Sequence, residues 1–250
     1  MGREIRSPIP RRKRKSEASD RLDPTAKLVF LQHLPEGWDV PEPESPRGRI
    51  MSAARQLFAE RGLEETSVRD ITQMASVNSA MVHYYFHNKE ALYHRVIGLE
   101  ILSVFQTIEK QLQTETSSGE LLMGLSGRIM RVVRANPIWA KLFQREMAMG
   151  ASHLEKVVRE LKESGPLGVM MQAKELYRSA VRRGELRDLP MDNVIQFLLV
   201  LGYCGVFYEP LFRIMTGHDP NEDKVFEQRS KSFENLIRHG LIPLDKSEKR

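Results

Sequence analysis

From residue 47 onward, apolar residues recur at three- and four-residue spacing, which is the pattern of helices that each bury one face. The first segment has an apolar face made of Ile50, Ala53, Ala54, Leu57 and Phe58. Gly62 follows it, where we expect a glycine to end the helix in a left-handed conformation. No stretch of period-two alternation rich in Val, Ile and Thr stands out. The pattern therefore predicts an all-α protein.

Two short helices joined by a tight turn are predicted next. Ser67 and Asp70 form a capping-box pattern at the start of the first of them. Its expected buried positions are Val68, Ile71, Met74 and Ala75. Val77 and Asn78 are expected to form the turn, and the short amide of Asn78 suits the N-cap of a helix that runs to Phe86.

The helix that follows the turn separates into two faces at about 100° per residue. Val82 and Phe86, with Tyr85 near them, are predicted to pack inward. The opposite side carries Ser79, Ala80, His83 and Tyr84, with Met81 at its edge. Small residues at the start and larger polar ones a turn later suit a helix that enters a DNA groove. Periodicity alone equally allows a three-helix unit that only packs against itself.

The rest of the chain is predicted to be helical almost throughout. The expected helices cover residues 88–113, 118–135, 137–149, 166–183, 191–215 and 221–239, separated by turns rich in Gly, Pro, Ser and Asn. Within them, Met and aromatic residues suggest the wall of an apolar effector pocket, although an ordinary helical core fits each residue as well. The candidate lining residues are Trp139, Phe143, Met147, Tyr177, Tyr203 and Phe207. Polar residues that could orient a ligand are Gln144, Arg145, Gln172 and Glu209.

The last two predicted helices are the candidates for a dimer interface. Their apolar positions are Phe197, Leu198, Leu201 and Gly205 on the first, and Phe226, Phe233, Leu236 and Ile237 on the second. A two-fold homodimer would set two recognition helices about 34–36 Å apart, one for each half of a pseudo-palindromic site.

The net charge of +5 is concentrated in a tail. Residues 1–15 alone carry +6, so the remaining chain is close to neutral at −1. The basic run 11–15 is either an arm that adds non-specific phosphate contacts or a solvated tail. Repeated prolines disfavour regular structure over residues 1–45, which we expect to be largely disordered, as we do residues 242–250. Global basicity therefore gives little support to DNA binding by the folded part.

Several classes of function lack support. Cys204 is the single cysteine, so neither an intramolecular disulfide nor a Cys-based zinc site is possible, and we expect no metal. No phosphate loop, nucleophile elbow or paired-carboxylate motif is present, so neither an enzyme nor a cofactor is expected. The basic start does not suit a secretory signal, and the most apolar stretch, 194–208, is shorter than a membrane span. We expect a cytoplasmic protein without a membrane partner.

Residues 47–94 resemble the N-terminal DNA-binding domain of the TetR family of bacterial transcriptional regulators. The matching stretches are Ala-Ala-Arg-Gln-Leu-Phe-Ala-Glu-Arg-Gly at 53–62, Thr-Ser-Val-Arg-Asp-Ile at 66–71, Val77-Asn78, Tyr-Tyr-Phe at 84–86 and Asn-Lys-Glu-Ala-Leu at 88–92. The resemblance implies base contacts for Ser79, Ala80, Met81 and His83, with Arg69 at the groove edge. It implies phosphate contacts for Ser67, Tyr84, Tyr85 and Lys89. Two positions depart from the family pattern, because Ser76 replaces a turn glycine and His83 a tyrosine.

The resemblance implies three parts: a DNA-binding domain at 46–92, an effector-binding and dimerisation domain at 93–241, and the flanking tails. The function it implies is a homodimeric regulator of transcription that binds double-stranded DNA, a repressor relieved by a small apolar or amphipathic ligand. The alternative is a helical protein-interaction module whose helix-turn-helix does not read DNA.

Overall fold

The computed structural model describes residues 38–112, 124–161 and 166–241 of the 250-residue chain. Within these ranges it contains eleven α-helices and no strand, which confirms the all-α prediction. The helices are α1 Pro46–Arg61, α2 Val68–Ala75, α3 Ser79–Phe86, α4 Lys89–Leu112, α5 Leu125–Ala135, α6 Pro137–Ala148, α7 Ser152–Leu161, α8 Pro166–Arg182, α9 Met191–Phe207, α10 Glu209–Thr216 and α11 Asp223–Leu241. The predictions for the basic run 11–15, for a helix start at 118 and for the tail 242–250 lie outside the described residues.

Two of the helix predictions were wrong. The chain forms α7 where none was predicted, although Leu154, Val157 and Leu161 already have helical spacing. The predicted single helix 191–215 is two helices, α9 and α10, whose axes differ in direction by 66°. Pro210 explains the bend, because it has no backbone N–H and cannot donate to the preceding turn. Among the described residues, no single helix is both long enough and apolar enough to cross a membrane.

The first three helices form a compact unit around α1. Ile50, Leu57 and Phe58 of α1 are buried against Ile71 of α2 and Val82 of α3. The helix α1 ends at Gly62, whose N–H donates to Phe58 O at 2.9 Å. Gly62 has a positive φ of 85° as expected, but its ψ of 179° differs from the predicted left-handed helical value. Only glycine adopts this conformation easily, so Gly62 determines where α1 ends.

The three-helix unit rests on the longer helices behind it. The helix α1 packs on α4 and α6, α4 packs on α5 and α7, and α5 packs on α9 and α11. Arg55 of α1 makes an ion pair with the buried Glu100 of α4. Arg145 of α6 donates through Nη2 to Glu60 O at 2.6 Å and through Nε to Ala59 O at 3.3 Å. These contacts fix the three-helix unit to the longer helices behind it.

Trp38, within the segment 1–45 that we predicted to be largely disordered, is packed in the structure. Trp38 is 2% exposed and lies over α4, where its ring leaves no room for a side chain at Gly98. Its Nε1–H donates to Glu160 Oε1 of α7 at 3.0 Å, and the Arg95 guanidinium lies 4.6 Å from the ring centroid. The predicted disorder is therefore wrong at Trp38, whose buried ring holds it against α4.

A buried carboxylate joins three helices of the second domain. Glu146 of α6 is 1% exposed and accepts from Tyr93 OH at 2.9 Å and from Leu154 N at 3.0 Å. His153 Nδ1 lies 3.2 Å from the same carboxylate. Burial, together with the neighbouring Glu146 charge, raises the pKa of Tyr93 well above its ordinary value, so the phenol remains a proton donor. The network fixes α6 against α4 and α7.

Candidate nucleic-acid interface and helical-domain cleft

The start of α2 is a complete capping box. Ser67 Oγ accepts from Asp70 N at 3.1 Å, and the Asp70 carboxylate accepts from Ser67 N at 3.1 Å. Hydrogen bonds from the Ser67 side chain and backbone lower the pKa of Asp70, so its charge stays near the positive helix terminus. The predicted capping box is confirmed. Ser67 Oγ also donates to Asp70 Oδ2 at 2.6 Å, so a phosphate contact would compete with that bond.

The buried face of α2 differs from the predicted one at a single position. Met74 is 46% exposed, whereas Thr72 is buried at 6%. The Thr72 hydroxyl donates to Arg69 O at 3.1 Å, which removes most of the cost of burying it. The helix can therefore rotate its packed face toward Thr72 and leave Met74 in solvent.

The turn between α2 and α3 has the geometry the sequence requires. Ser76 takes the left-handed conformation, with φ 52° and ψ 50°, at the position where the family pattern has glycine. Its N–H donates to Gln73 O at 3.3 Å. Asn78 then caps α3, accepting from Ala80 N at 2.9 Å, which confirms the predicted N-cap.

We expect Ser76→Gly to stabilise the folded state by about 0.5–1 kcal/mol, since glycine does not pay the steric cost of a left-handed backbone. The matched control is Ser52→Gly, on an exposed position inside α1, which should destabilise by about 0.5 kcal/mol. Urea denaturation of the three proteins measures both changes. A loss of stability in Ser76→Gly would show that the serine side chain has a role in the turn.

The outer face of α3 is open to solvent as predicted. Ser79, Ala80 and His83 are exposed, and Tyr84 is 78% exposed. Val82 and Phe86 are buried beneath them, and Met81 and Tyr85 pack partly against the core. The Tyr84 and Tyr85 rings meet edge to face with centroids 4.9 Å apart. A rigid helix therefore presents a short row of polar and aromatic groups, the arrangement that reading a groove requires.

The ring of His83 is held in place by the end of its own helix. Its Nδ1 lies 2.9 Å from the carbonyl oxygen of His87, the residue that ends α3 with a positive φ of 66°. In the neutral ring Nδ1 must carry the proton to donate to this carbonyl, which leaves Nε2 as an acceptor.

Lys89 has a structural contact besides the implied phosphate contact. Its ammonium group donates to Leu63 O at 2.8 Å, which ties the start of α4 to the loop after α1. An ammonium has three donors, so two remain for an anion. Asn88 caps this helix by accepting from Ala91 N at 2.7 Å, and Arg49 donates to Ala75 O at 3.1 Å at the end of α2. The sequence analysis missed these two positioning residues, although Asn before Lys-Glu-Ala is an N-cap signal.

Four of the six predicted effector-pocket residues lie together, but as a packed cluster. The rings of Phe143 and Tyr203 stack with centroids 4.4 Å apart, with Trp139 and Phe207 against Phe143. Trp139 Nε1–H donates to Tyr203 OH at 3.3 Å, and burial raises the pKa of Tyr203 to about 12. These rings join α6 to α9.

The other two predicted pocket residues lie elsewhere. Met147 is 37% exposed, and Tyr177 is buried with its hydroxyl between Arg187 O at 2.7 Å and Leu189 N at 3.1 Å. Arg145 bonds to the end of α1, as described above, and the side chain of Gln172 is outside the described set.

A cleft of about 480 Å³ opens beside the ring cluster, between α5, α6, α9, α10 and α11. None of the six predicted pocket residues lines it. Its apolar wall includes Met130, Val133, Ala140, Gly202 and Phe226, and its polar groups include Arg134, Lys141, Gln144, Glu209 and Arg229. Of the polar residues proposed from sequence to orient a ligand, Gln144 and Glu209 lie here. A volume of this size suits a small organic molecule.

The helices predicted to dimerise expose only part of the predicted apolar positions. Leu198, Phe226 and Ile237 are core residues, because α9 and α11 pack these faces on α5. Phe197 and Leu236 are exposed as predicted, at 53% and 62%, and Val200, which was not predicted, is 54% exposed. The two helices run antiparallel, since Arg187 N bonds Leu241 O at 2.7 Å and Arg229 Nη2 lies 3.6 Å from Cys204 Sγ. An apolar surface on neighbouring helices is therefore left uncovered.

Comparison with known proteins places this geometry in a family. Residues 50–96 match the family described as bacterial regulatory proteins, tetR family. The chain is 29% identical over 174 residues to the HTH-type transcriptional repressor KstR2 of Mycolicibacterium smegmatis, covering 68% of this chain and 82% of that protein. It is 26% identical over 195 residues to the HTH-type transcriptional regulator RutR of Escherichia coli, covering 78% of this chain and 89% of the relative.

Solved structures share the fold. The ketosteroid transcriptional regulator KstR2 of Mycobacterium tuberculosis superposes with a TM-score of 0.59 at 19% identity, over 80% of this chain and 96% of that one. The fatty acid degradation regulator FadR of Bacillus halodurans gives a TM-score of 0.57 at 18% identity, over 82% and 96%. These relatives are regulators of transcription and not enzymes. Residues 50–96 therefore match the family of bacterial regulatory proteins described as tetR, and the chain is similar to HTH-type transcriptional regulators.

Proposed function

We propose that the protein is a homodimeric, ligand-responsive repressor that binds a pseudo-palindromic operator. The observation that carries this proposal is the outer face of α3, which is solvent-exposed, capped at its start and fixed from below by Val82 and Phe86. A helix held in this way is already ordered, so it can enter a major groove without a further loss of conformational entropy. The comparisons support DNA binding, and the operator contacts, dimer and ligand response are the added claims.

The proposed base contacts use the first part of α3. Ser79, Ala80 and Met81 lie at its start, where short side chains let the backbone approach the base edges. His83 follows one turn later with Nε2 available, and Arg69 projects from exposed α2 toward the groove edge. Direct hydrogen bonds to base edges specify sequence, so changes at these positions should alter which operator is preferred.

The proposed phosphate contacts flank this reading face and fix its position on the duplex. Ser67 at the start of α2, Tyr84 and Tyr85 on α3, and Lys89 at the start of α4 supply hydroxyl and ammonium donors. The N-terminus of α4 adds a positive dipole end beside Lys89. These contacts contribute affinity for every sequence and little specificity.

The ligand response follows from the way α6 contacts both domains. Arg145 binds the last carbonyls of α1, and other residues of α6 line the cleft. A ligand that prefers one position of α6 would therefore favour one spacing of the two recognition helices. If that spacing does not fit the operator, bound ligand lowers the affinity for DNA. The size of the decrease is set by how much more tightly the ligand binds this conformation than the conformation that fits the operator.

The DNA-binding test begins with selection of an operator from genomic fragments, including the region upstream of the gene itself. The protein should retain specific fragments over competitor DNA at moderate salt. Lys89→Ala should weaken binding to all sequences alike. It should also reduce the slope of log affinity against log salt concentration by about one, the value for one released counterion. His83→Ala should instead change the preferred base at one operator position, by about 1–3 kcal/mol.

Two controls accompany these variants. Lys156→Ala removes an exposed cation from α7 and should leave binding unchanged. Urea denaturation of Lys89→Ala separates a lost phosphate contact from the lost bond to Leu63 O. If the wild-type protein shows no specific retention, the regulator proposal fails and the helix-turn-helix serves an interaction module instead.

A further inference from the structure

The cleft between α5, α6, α9, α10 and α11 carries more positive than negative charge. Its wall holds three cations, Arg134, Lys141 and Arg229, and one carboxylate, Glu209. Two of these groups are already neutralised by ion pairs. Arg134 binds Asp223 at 2.5 Å, and Glu209 binds Arg213 at 3.0 Å. The charge that remains belongs to Lys141 and Arg229.

Arg229 is a half-buried cation whose existing contacts are weak. Its Nη1 is 3.4 Å from Pro220 O, its Nη2 is 3.6 Å from Cys204 Sγ, and its guanidinium lies 4.7 Å from the centroid of Phe212. Burial raises the pKa of the Cys204 thiol, so the sulfur is uncharged at neutral pH and does not neutralise the guanidinium. Within residues 38–112, 124–161 and 166–241, no carboxylate makes an ion pair with Arg229.

Lys141 of α6 lines the same cleft. It is exposed on α6, and the described part of the chain provides no hydrogen-bond or ion-pair partner for its ammonium group. Ala140, Gly202 and Gly205, which have little or no side chain, also line this cleft. A methyl group at Gly205 would lie 3.8 Å from the Arg229 guanidinium, so this backbone leaves the cation accessible from the cleft.

We propose that this cleft binds an amphipathic carboxylate, a molecule with an apolar body and one anionic head group. The head group would accept hydrogen bonds from Arg229 and from Lys141, and the apolar body would lie on Met130, Val133 and Phe226. A partly desolvated guanidinium favours a carboxylate because two parallel N–H donors match its two oxygens. A neutral ligand of the same shape would leave the cations with their present weak partners.

The head group would join helices that the proposed regulation needs to couple. Arg229 lies on α11 beside the exposed surface of α9, whereas Lys141 lies one turn before Arg145, the residue that binds the end of α1. A carboxylate between Arg229 and Lys141 would therefore connect the proposed dimer surface to the helix that positions the DNA-binding unit. This regulatory role rests on the proposed repressor function, but binding of the carboxylate itself does not.

The test compares three probes of equal chain length, decanoate, decan-1-ol and decylamine, each below its micelle concentration. Binding to the full-length protein without DNA is measured by isothermal titration calorimetry. Decanoate should bind at least tenfold more tightly than the alcohol and the amine. Arg229→Gln and Lys141→Gln should each weaken decanoate binding by about ten- to a hundredfold, the loss expected for one charge-assisted hydrogen bond, and leave decan-1-ol unchanged.

Two matched variants serve as controls. Arg238→Gln, on an exposed part of α11, and Lys156→Gln, on α7, lie outside the cleft and should bind decanoate like the wild type. Equal binding of decanoate and decan-1-ol, or unchanged decanoate binding in Arg229→Gln, would overturn the proposal. So would a change in the dimer dissociation constant of Arg229→Gln without any effect on decanoate, since Arg229 would then be an interface residue.

DNA binding is measured separately, so that the two proposals fail in different ways. Operator retention without a probe tests the regulator alone. If decanoate binds through Arg229 but does not release the operator, the ligand class stands and the regulatory link through α6 is refuted. If the protein binds no operator at all, calorimetry still decides the ligand class.

Discussion

Val200→Glu is expected to convert the protein to a monomer and to weaken operator binding by about 100- to 10,000-fold. Val200 is 54% exposed on α9, in the apolar surface that also includes Phe197 and Leu236. Around a two-fold axis the substitution places two like charges in one desolvated interface. Losing the second half-site removes an effective concentration gain of about 100- to 10,000-fold.

The monomer itself should remain folded, because the glutamate replaces a side chain that half faces solvent. Val40→Glu is the matched control, since Val40 is 76% exposed and lies in the segment before α1. Sedimentation equilibrium gives the oligomeric state and circular dichroism gives the helix content. If Val200→Glu remains a dimer, or becomes a monomer with unchanged operator affinity, the interface assignment is refuted. Phe197→Glu, on the same surface, provides an independent second variant.

The helix-turn-helix was predicted well because its determinants are local. Ser67 and Asp70 cap α2, Asn78 caps α3, and each of these hydrogen bonds spans at most three residues. The left-handed conformation of Ser76 lies at the position where the family pattern has a turn glycine. Signals of this kind are complete within a few residues, so the sequence alone defines them.

The faces of the later helices were predicted less well because their packing depends on distant partners. On α9 both the 194–198–202 side and the 197–200 side are apolar, so periodicity does not say which one meets α5. The structure buries Leu198 and exposes Val200. Similarly, the aromatic residues of α6 and α9 form a packed cluster, and the cleft is lined by other residues of these helices, including Ala140 and Gly205.

The long-range polar contacts made by Trp38 and Tyr93 could not be predicted from the sequence either. Trp38 reaches Glu160 across 122 positions, and Tyr93 reaches Glu146 across 53. The sequence separation of neither pair predicts a contact, and a glutamate in a helix is usually exposed. Contacts between residues so far apart in sequence form only in the completed fold. They fix the position of the DNA-binding unit on the helices behind it.

Trp38→Ala is expected to reduce the free energy of unfolding by about 3–5 kcal/mol, the range for removing a buried aromatic ring. Trp38 is 2% exposed, and its indole N–H donates to Glu160 Oε1, so the substitution also removes this hydrogen bond. Trp38→Phe keeps a ring between α4 and α7 but loses the hydrogen bond, and it should lose less stability. Urea denaturation measures the free energy of unfolding of these variants, and the values are compared at an unchanged m-value, the slope of that free energy against urea concentration.

Gly98 gives a stricter test of the same contact through a double-mutant cycle. A methyl group at Gly98 would overlap the Trp38 ring, so Gly98→Ala alone should destabilise by overpacking, by about 1–3 kcal/mol. In the Trp38→Ala background the same change meets open space and should stabilise by about 1 kcal/mol, because alanine favours a helix over glycine. The sign of the Gly98→Ala effect should therefore reverse between the two backgrounds. If it is the same in both, residues 38–45 do not pack on α4 in solution, and the large loss expected for Trp38→Ala should be absent as well.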